Sequence, residues 1–267
     1  MSTTNSYFTT GIGKTLKTQE FLASGTWTRP AGVDAIQVFL VGGGGAGGGV
    51  QNYSQAGGGG GGGEVINNRI ITVTGNVSVT IGTGGAGTLN GPGGYGLPST
   101  LTGGCTLTAR GGGGGGGTNG AATANQCNAG GRYTSSSNTQ AGAGGGAGGH
   151  ATYKMKMATI SDGEATTSLV TGLSHCGGGI IYASDAVSVG GIGINGFGGG
   201  GCGGCFNGYY GFASDGGAIN NTLYNTGISA SNNTGGGGSG AANSAGSNPS
   251  LAGGNGGSGY CLITWWE

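Results

Sequence analysis

Glycine occupies 76 of the 267 positions, and much of it lies in unbroken or nearly unbroken blocks. This feature constrains the fold more than any other, because glycine loses more backbone freedom on folding than other residues and brings no side chain to bury in return. Such a chain either stays unfolded or folds in a way that uses the missing side chains. A glycine-rich composition points by itself to disordered chain. Disorder, however, ordinarily comes with high net charge and few aromatics. Here eight Lys and Arg balance eight Asp and Glu, beside 6 Phe, 3 Trp and 10 Tyr.

The glycine blocks cover 42–49, 57–63, 111–117, 142–149, 177–179, 190–204, 235–240 and 253–259. They lack the strict period of collagen and hold too little serine for flexible linkers. Glycine runs can instead take the polyproline II shape, in which seven residues span roughly 22 Å without internal hydrogen bonds. Several runs packed side by side satisfy one another's N–H and C=O groups, since nothing projects between the backbones. Each bond contributes only about 0.5 to 1.5 kcal/mol, so many must form together. The expected fold is mostly β and irregular: a bundle of packed glycine-rich polyproline-II-type helices flanked by antiparallel β-hairpins, with little or no α-helix.

Strand signals begin at Gly25. Thr26-Trp27-Thr28 leads into Arg29-Pro30-Ala31-Gly32, which suits a type I turn, and Val33 to Val41 returns with Ile36, Val38 and Leu40 on one face. A second hairpin is predicted around Thr74-Gly75-Asn76. A three-residue loop sets Val73 opposite Val77 and Ile71 opposite Val79, keeping the apolar side chains together. Further strands are expected within 99–110, 150–160 and 168–173, and over Tyr260–Trp266. Residues 1–24 read as an attachment segment and 25–267 as one glycine-rich domain.

Several function classes are excluded at this stage. The balanced charge offers no basic footprint for nucleic acid. The N-terminus shows no secretion-signal pattern, and no apolar stretch approaches the length of a transmembrane helix. Gly11-Ile12-Gly13-Lys14-Thr15 fails as a phosphate loop, because Phe8 stands where its first glycine belongs. Cysteines 105, 127, 176, 202, 205 and 261 include one CxxC, Cys202 to Cys205, with His175-Cys176 upstream. A zinc site needs a second such pair, and a thioredoxin-like site needs a helix start. Neither metal nor cofactor is expected, and the cysteines are read as small buried hydrophobes. With His150 and His175 the only histidines and the acids scattered singly, no catalytic cluster is visible, so the chain is not read as an enzyme.

The segments between glycine blocks have another composition. Gln51 to Gln55 carries Tyr53, residues 118–140 carry Arg132 and Tyr133, and residues 219–234 carry Tyr224. Phe206-Asn207-Gly208-Tyr209-Tyr210-Gly211-Phe212 holds four aromatics in seven residues. Tyr among Ser, Gly and Asn is the palette of adaptable binding loops. The other reading of these rings is that they plug the ends of the bundle.

Phe21-Leu22-Ala23-Ser24-Gly25-Thr26-Trp27-Thr28-Arg29-Pro30-Ala31-Gly32-Val33, leading into Val38-Phe39-Leu40-Val41 and a glycine block, resembles the glycine-rich receptor-binding proteins at bacteriophage tail-fibre tips, including the adhesins of T-even-like phages. The likeness continues through Val77 to Gly87 and in the closing Gly259 to Trp266. It implies a virion protein at the tail-fibre tip whose loops bind a bacterial surface receptor, either an outer-membrane protein or a polysaccharide. By position between glycine blocks, the contacts would be Tyr53, Arg132, Tyr133, Phe206, Tyr209, Tyr210, Phe212 and Tyr224. The implied partners are that receptor and other tail-fibre subunits, with a homotrimer as one arrangement; nucleic acid and membrane insertion are not implied. The T-even adhesins have a larger attachment domain than the 24 residues available here. The alternative is a structural fibre or virion decoration module without receptor binding. An ice-binding bundle would need a flat, repeating face, which irregular blocks do not favour.

Overall fold

Alternation of apolar and polar residues makes the longer strands, and glycine makes the runs packed beside them. The computed structural model describes residues 13–51, 55–118, 130, 193–203, 226–243 and 250–267, together with the backbone of short strands at 139–141, 152–153, 174–175, 182–184, 188–189 and 224–225. The chain opens with β1 (Leu16–Phe21), β2 (Gly25–Trp27) and β3 (Ala35–Val41). After β4 (Gln55–Ala56) come β5 (Val65–Thr72), β6 (Val77–Thr80), β7 (Ser99–Gly103) and β8 (Leu107–Ala109). The short strands are β9 (Thr139–Ala141), β10 (Thr152–Tyr153), β11 (Ser174–His175), β12 (Tyr182–Ser184), β13 (Ser188–Val189), β14 (Tyr224–Asn225) and β15 (Ala242–Asn243), and β16 (Tyr260–Trp266) comes last. The described residues contain no α-helix.

Two sheets face each other. One has the order β1-β16-β3-β5-β11 and the other β2-β6-β7-β8. The first contributes Phe21, Ile36, Val38, Leu40, Cys261 and Ile263 to the core between them; the second contributes Trp27, Val77, Val79, Leu101 and Ala109. Ile36, Val38 and Leu40 are fully buried, as their spacing predicts, and Trp27 meets Trp265 edge to face with ring centroids 5.5 Å apart. Leu16–Phe21, within the segment expected to serve attachment, pairs along its whole length with β16.

Both turns predicted to close hairpins instead carry the chain from one sheet to the other. β5 pairs with β3 whereas β6 pairs with β2 and β7, so Val73 and Val77 are not cross-strand partners. The first turn likewise joins β2 of one sheet to β3 of the other. Both arrangements bury the same apolar alternation, which is why the pattern does not distinguish them. Arg29 ties the two crossovers together: its N–H donates to Asn76 Oδ1 at 3.0 Å and its Nε to the Val33 carbonyl, while its guanidinium pairs with Asp34. Gly32 completes the first turn at φ 78°, a conformation that favours glycine. A true hairpin does form at β7–β8, inside the 99–110 strand signal. Between β3 and β5 the register shifts at Val38/Leu40, with Asn68 at φ 52°, a bulge that asparagine tolerates.

Candidate binding surface

The run 42–50 leaves β3 at the edge of the core and forms the axis of a glycine bundle. Its N–H groups point in three directions in strict rotation. Gly42, Gly45 and Gly48 donate to Glu64, Gly61 and Gly58; Gly43, Ala46 and Gly49 to Leu97, Gly94 and Gly91; Gly44, Gly47 and Val50 to Gly257, Gly254 and Leu251. All nine bonds measure 2.8 to 3.0 Å. The period of three is that of a polyproline II helix. The carbonyls use the directions in between: those of Gly43, Ala46 and Gly49 accept from Gly112, Gly115 and Thr118, those of Gly45 and Gly48 from Gly238 and Ala241, and that of Gly44 from Gly85. The axial run is thus surrounded by six others.

Glycine is required where backbones meet. A β-carbon on Gly48 would lie 1.8 Å from the Gly116 carbonyl oxygen, and one on Gly45 would lie 2.1 Å from that of Gly113. Side chains return at every third residue of outer runs. Thr83, Ala86 and Leu89 are exposed in one run, as is Tyr95 in the next. Runs 82–88 and 91–97 are therefore genuine members of the bundle, although their interrupted glycine kept both of them out of the predicted blocks.

Polar side chains fasten the bundle to the sheets at one end. Buried Glu64 holds Arg110, and buried Ser99 donates to the Val41 carbonyl at 2.6 Å while accepting from the Gly82 N–H at 2.9 Å. At the same junction Phe39, Phe197 and Tyr260 form an aromatic cluster. Burial, reinforced by a hydrogen bond to Glu20, pushes the Tyr260 phenol up to about 12, and burial pushes the neighbouring Cys261 thiol up to about 12 as well.

The opposite end is where the runs give way to other sequence. Gln51 N–H donates to both Gln55 Oε1 and Thr118 Oγ1 at 3.1 Å, and Thr118 Oγ1 donates to Gln55 Oε1 at 2.9 Å. Val50 bridges Leu251, Leu89 bridges Ala252, and a small sheet β14-β15-β4 lies beside them. In that sheet Tyr224 pairs with Asn243, which pairs with Gln55. The segments 52–54, 119–129 and 244–249 thus all depart from described residues at this end.

Of the predicted contacts, Tyr224 is brought here by its backbone pairing. Tyr53, Arg132, Tyr133, Phe206, Tyr209, Tyr210 and Phe212 lie outside the described residues. Of the cysteines proposed as buried hydrophobes, Cys202 and Cys261 are buried and Cys105 is half-buried; Cys127, Cys176 and Cys205 lie outside the described residues.

A family model described as a glycine-rich domain matches residues 18–266. The chain belongs to that family. The match begins inside β1 and ends on the last residue of β16, so the glycine-rich domain comprises both the facing sheets and the bundle. Comparison with curated proteins yields no match.

At the outer end the Gln51 N–H, Gln55 and Thr118 hold one another and so position backbone. Sequence reading missed the lateral face, where Leu89 is 62 % and Tyr95 53 % exposed. The signal for it is present in Thr83-Gly84-Gly85-Ala86 and Pro92-Gly93-Gly94-Tyr95, which repeat every three residues.

Proposed function

We propose that the glycine-rich domain is a host-recognition adhesin of a bacteriophage tail-fibre tip, binding a bacterial surface protein or polysaccharide without catalysing a reaction. The observation that carries this reading is the polarity of the bundle. Sheets and polar clasps occupy one end, and the segments 52–54, 119–129 and 244–249 depart from the other. A rigid scaffold that holds several chain reversals side by side suits presentation of adaptable loops. On this reading the sheet end, with the N-terminal segment, faces the other fibre subunits on the virion, and Tyr53, Arg132, Tyr133, the aromatics of 206–212 and Tyr224 contact the receptor. The resemblance of residues 21–41, 77–87 and 259–266 to tail-fibre adhesins supports the same reading.

The test is binding of labelled protein to intact cells of candidate bacterial hosts, beside a folded variant carrying Tyr209→Ala, Tyr210→Ala and Tyr224→Ala. Saturable binding that weakens at least about tenfold in the variant, or 1.4 kcal/mol, is the expected result. Binding by neither protein across hosts of its source community would instead favour a structural fibre module.

A further inference from the structure

Run 91–97 uses two of its three donor directions within the bundle. Gly93 and Gly96 donate to Gly115 and Gly112 on one side, and Gly94 and Leu97 donate to Ala86 and Thr83 on another. The carbonyls of Gly91, Gly94 and Leu97 accept from Gly49, Ala46 and Gly43 of the axial run. On a helix with three residues per turn, positions 92, 95 and 98 share the remaining direction. The axial run also bonds to both other neighbours, so it lies between them, and the remaining direction points away from it. Two of these three outward positions are proline. Pro98 is exposed and Pro92 half-buried, with Tyr95 exposed between them. They are two of the four prolines in the chain.

An outer glycine run resembles an edge strand, because outward N–H groups are a template for one more run. Proline suits this place in two ways. Its fixed φ near −65° fits the polyproline II shape, and it has no N–H to offer. The partner such an edge invites first is the same outer run of a second copy, because runs 57–63 and 111–117 are buried and hydrogen-bonded within the bundle of their own chain. We propose that Pro92 and Pro98 form a lateral stop that closes this face of the bundle against the same run of a second copy. The device acts on the side of the bundle and does not depend on what the loops bind.

The experiment compares the full-length protein with Pro92→Gly/Pro98→Gly and Pro92→Ala/Pro98→Ala, using sedimentation or light scattering over a concentration series. Alanine restores the N–H while retaining a side chain, so it decides the question if double glycine unfolds. Pro30→Ala, in the sheet-to-sheet turn, is the control. The expected result is association beyond the wild-type mass, setting in at a concentration at least about tenfold lower, with slowed amide exchange at residues 92–98 in the associated form only. A folded variant that keeps the wild-type mass at every concentration overturns the proposal. Equal association of the Pro30→Ala control overturns it too.

Discussion

Arg110 places its main-chain N–H and its Nε on one oxygen of the Glu64 carboxylate, at 2.8 and 3.0 Å. The Glu64 N–H in turn donates to the Arg110 carbonyl at 2.9 Å. Each residue stands where a seven-glycine run meets the sheets, so the pair aligns 57–63 with 111–117 at their shared end. The Glu64 side chain is only 4 % exposed, against 47 % for Arg110. Removing the guanidinium leaves a buried carboxylate with one main-chain donor. Arg110→Ala is expected to cost about 1.5 to 3 kcal/mol, as for a hydrogen bond to a charged group. Glu64→Gln, which keeps an acceptor, should cost less than Arg110→Ala; urea unfolding of both variants checks the order.

Gly48 and Gly75 make a contrasting pair. A β-carbon at Gly48 collides with the Gly116 carbonyl, whereas one at Gly75 meets nothing within 4 Å. Gly48→Ala is expected to destabilise by more than about 3 kcal/mol, since neither backbone can move without breaking the axial hydrogen bonds. Gly75→Ala should stay within about 1 kcal/mol of wild type. Thermal unfolding of the two variants side by side makes the comparison; equal midpoints would mean that the runs do not touch.

Ser99 joins two backbones that otherwise would not meet. Its hydroxyl is fully buried and both donates and accepts. Ser99→Ala strands the Gly82 N–H and the Val41 carbonyl, for an expected loss of about 1 to 3 kcal/mol. Faster amide exchange at Gly82 and its neighbours than at Gly45 would show that the damage is local.

Alkaline pH should weaken the fold. Cys261 holds its proton to about 12 in the folded chain, against an ordinary value of 9.0, and Tyr260 to about 12 against 10.0. Between those limits the unfolded chain has released protons that the folded chain still holds, so unfolding is favoured as pH rises. Stability is therefore expected to be unaffected by these two groups below about pH 9 and to fall from there towards pH 12. Denaturant midpoints across that range check the slope, and Cys261→Ala should flatten its lower part. In the native protein at pH 8, Cys261 should also react with a thiol reagent only after unfolding.

Strand periodicity was legible in the sequence wherever a strand buries one face. Tyr260–Trp266 forms β16 over the predicted span, and Ile36, Val38 and Leu40 face the core together. Pairing was not legible. The alternation at Ile71, Val73, Val77 and Val79 is identical whether the chain folds back within one sheet or crosses to the sheet opposite. The crossovers depend on distant partners: β16 between β1 and β3, and β7 beside β6. Runs 82–88 and 91–97 were hidden for another reason. An outer helix of three residues per turn needs glycine only where it meets neighbours, so Thr83, Ala86, Pro92 and Tyr95 interrupt the composition without interrupting the structure. At the candidate binding end, loop composition singled out eight residues, of which Tyr224 is located by its backbone beside Asn243.

The sequence by itself determined that backbones would pack on backbones. So many glycines cannot be ordered by burying side chains, and only direct peptide-to-peptide hydrogen bonding compensates their lost freedom. It also determined the inward faces of β3 and β16. Only the tertiary structure decided which run lies beside which, because every glycine run presents the same three donor directions and the same acceptors. That degeneracy is lifted by the residues at the junctions. Glu64 with Arg110, Ser99 with Val41, and Gln55 with Thr118 hold their runs in one alignment, and the two sheets, the first of which sets β16 between β1 and β3, hold the runs in one order.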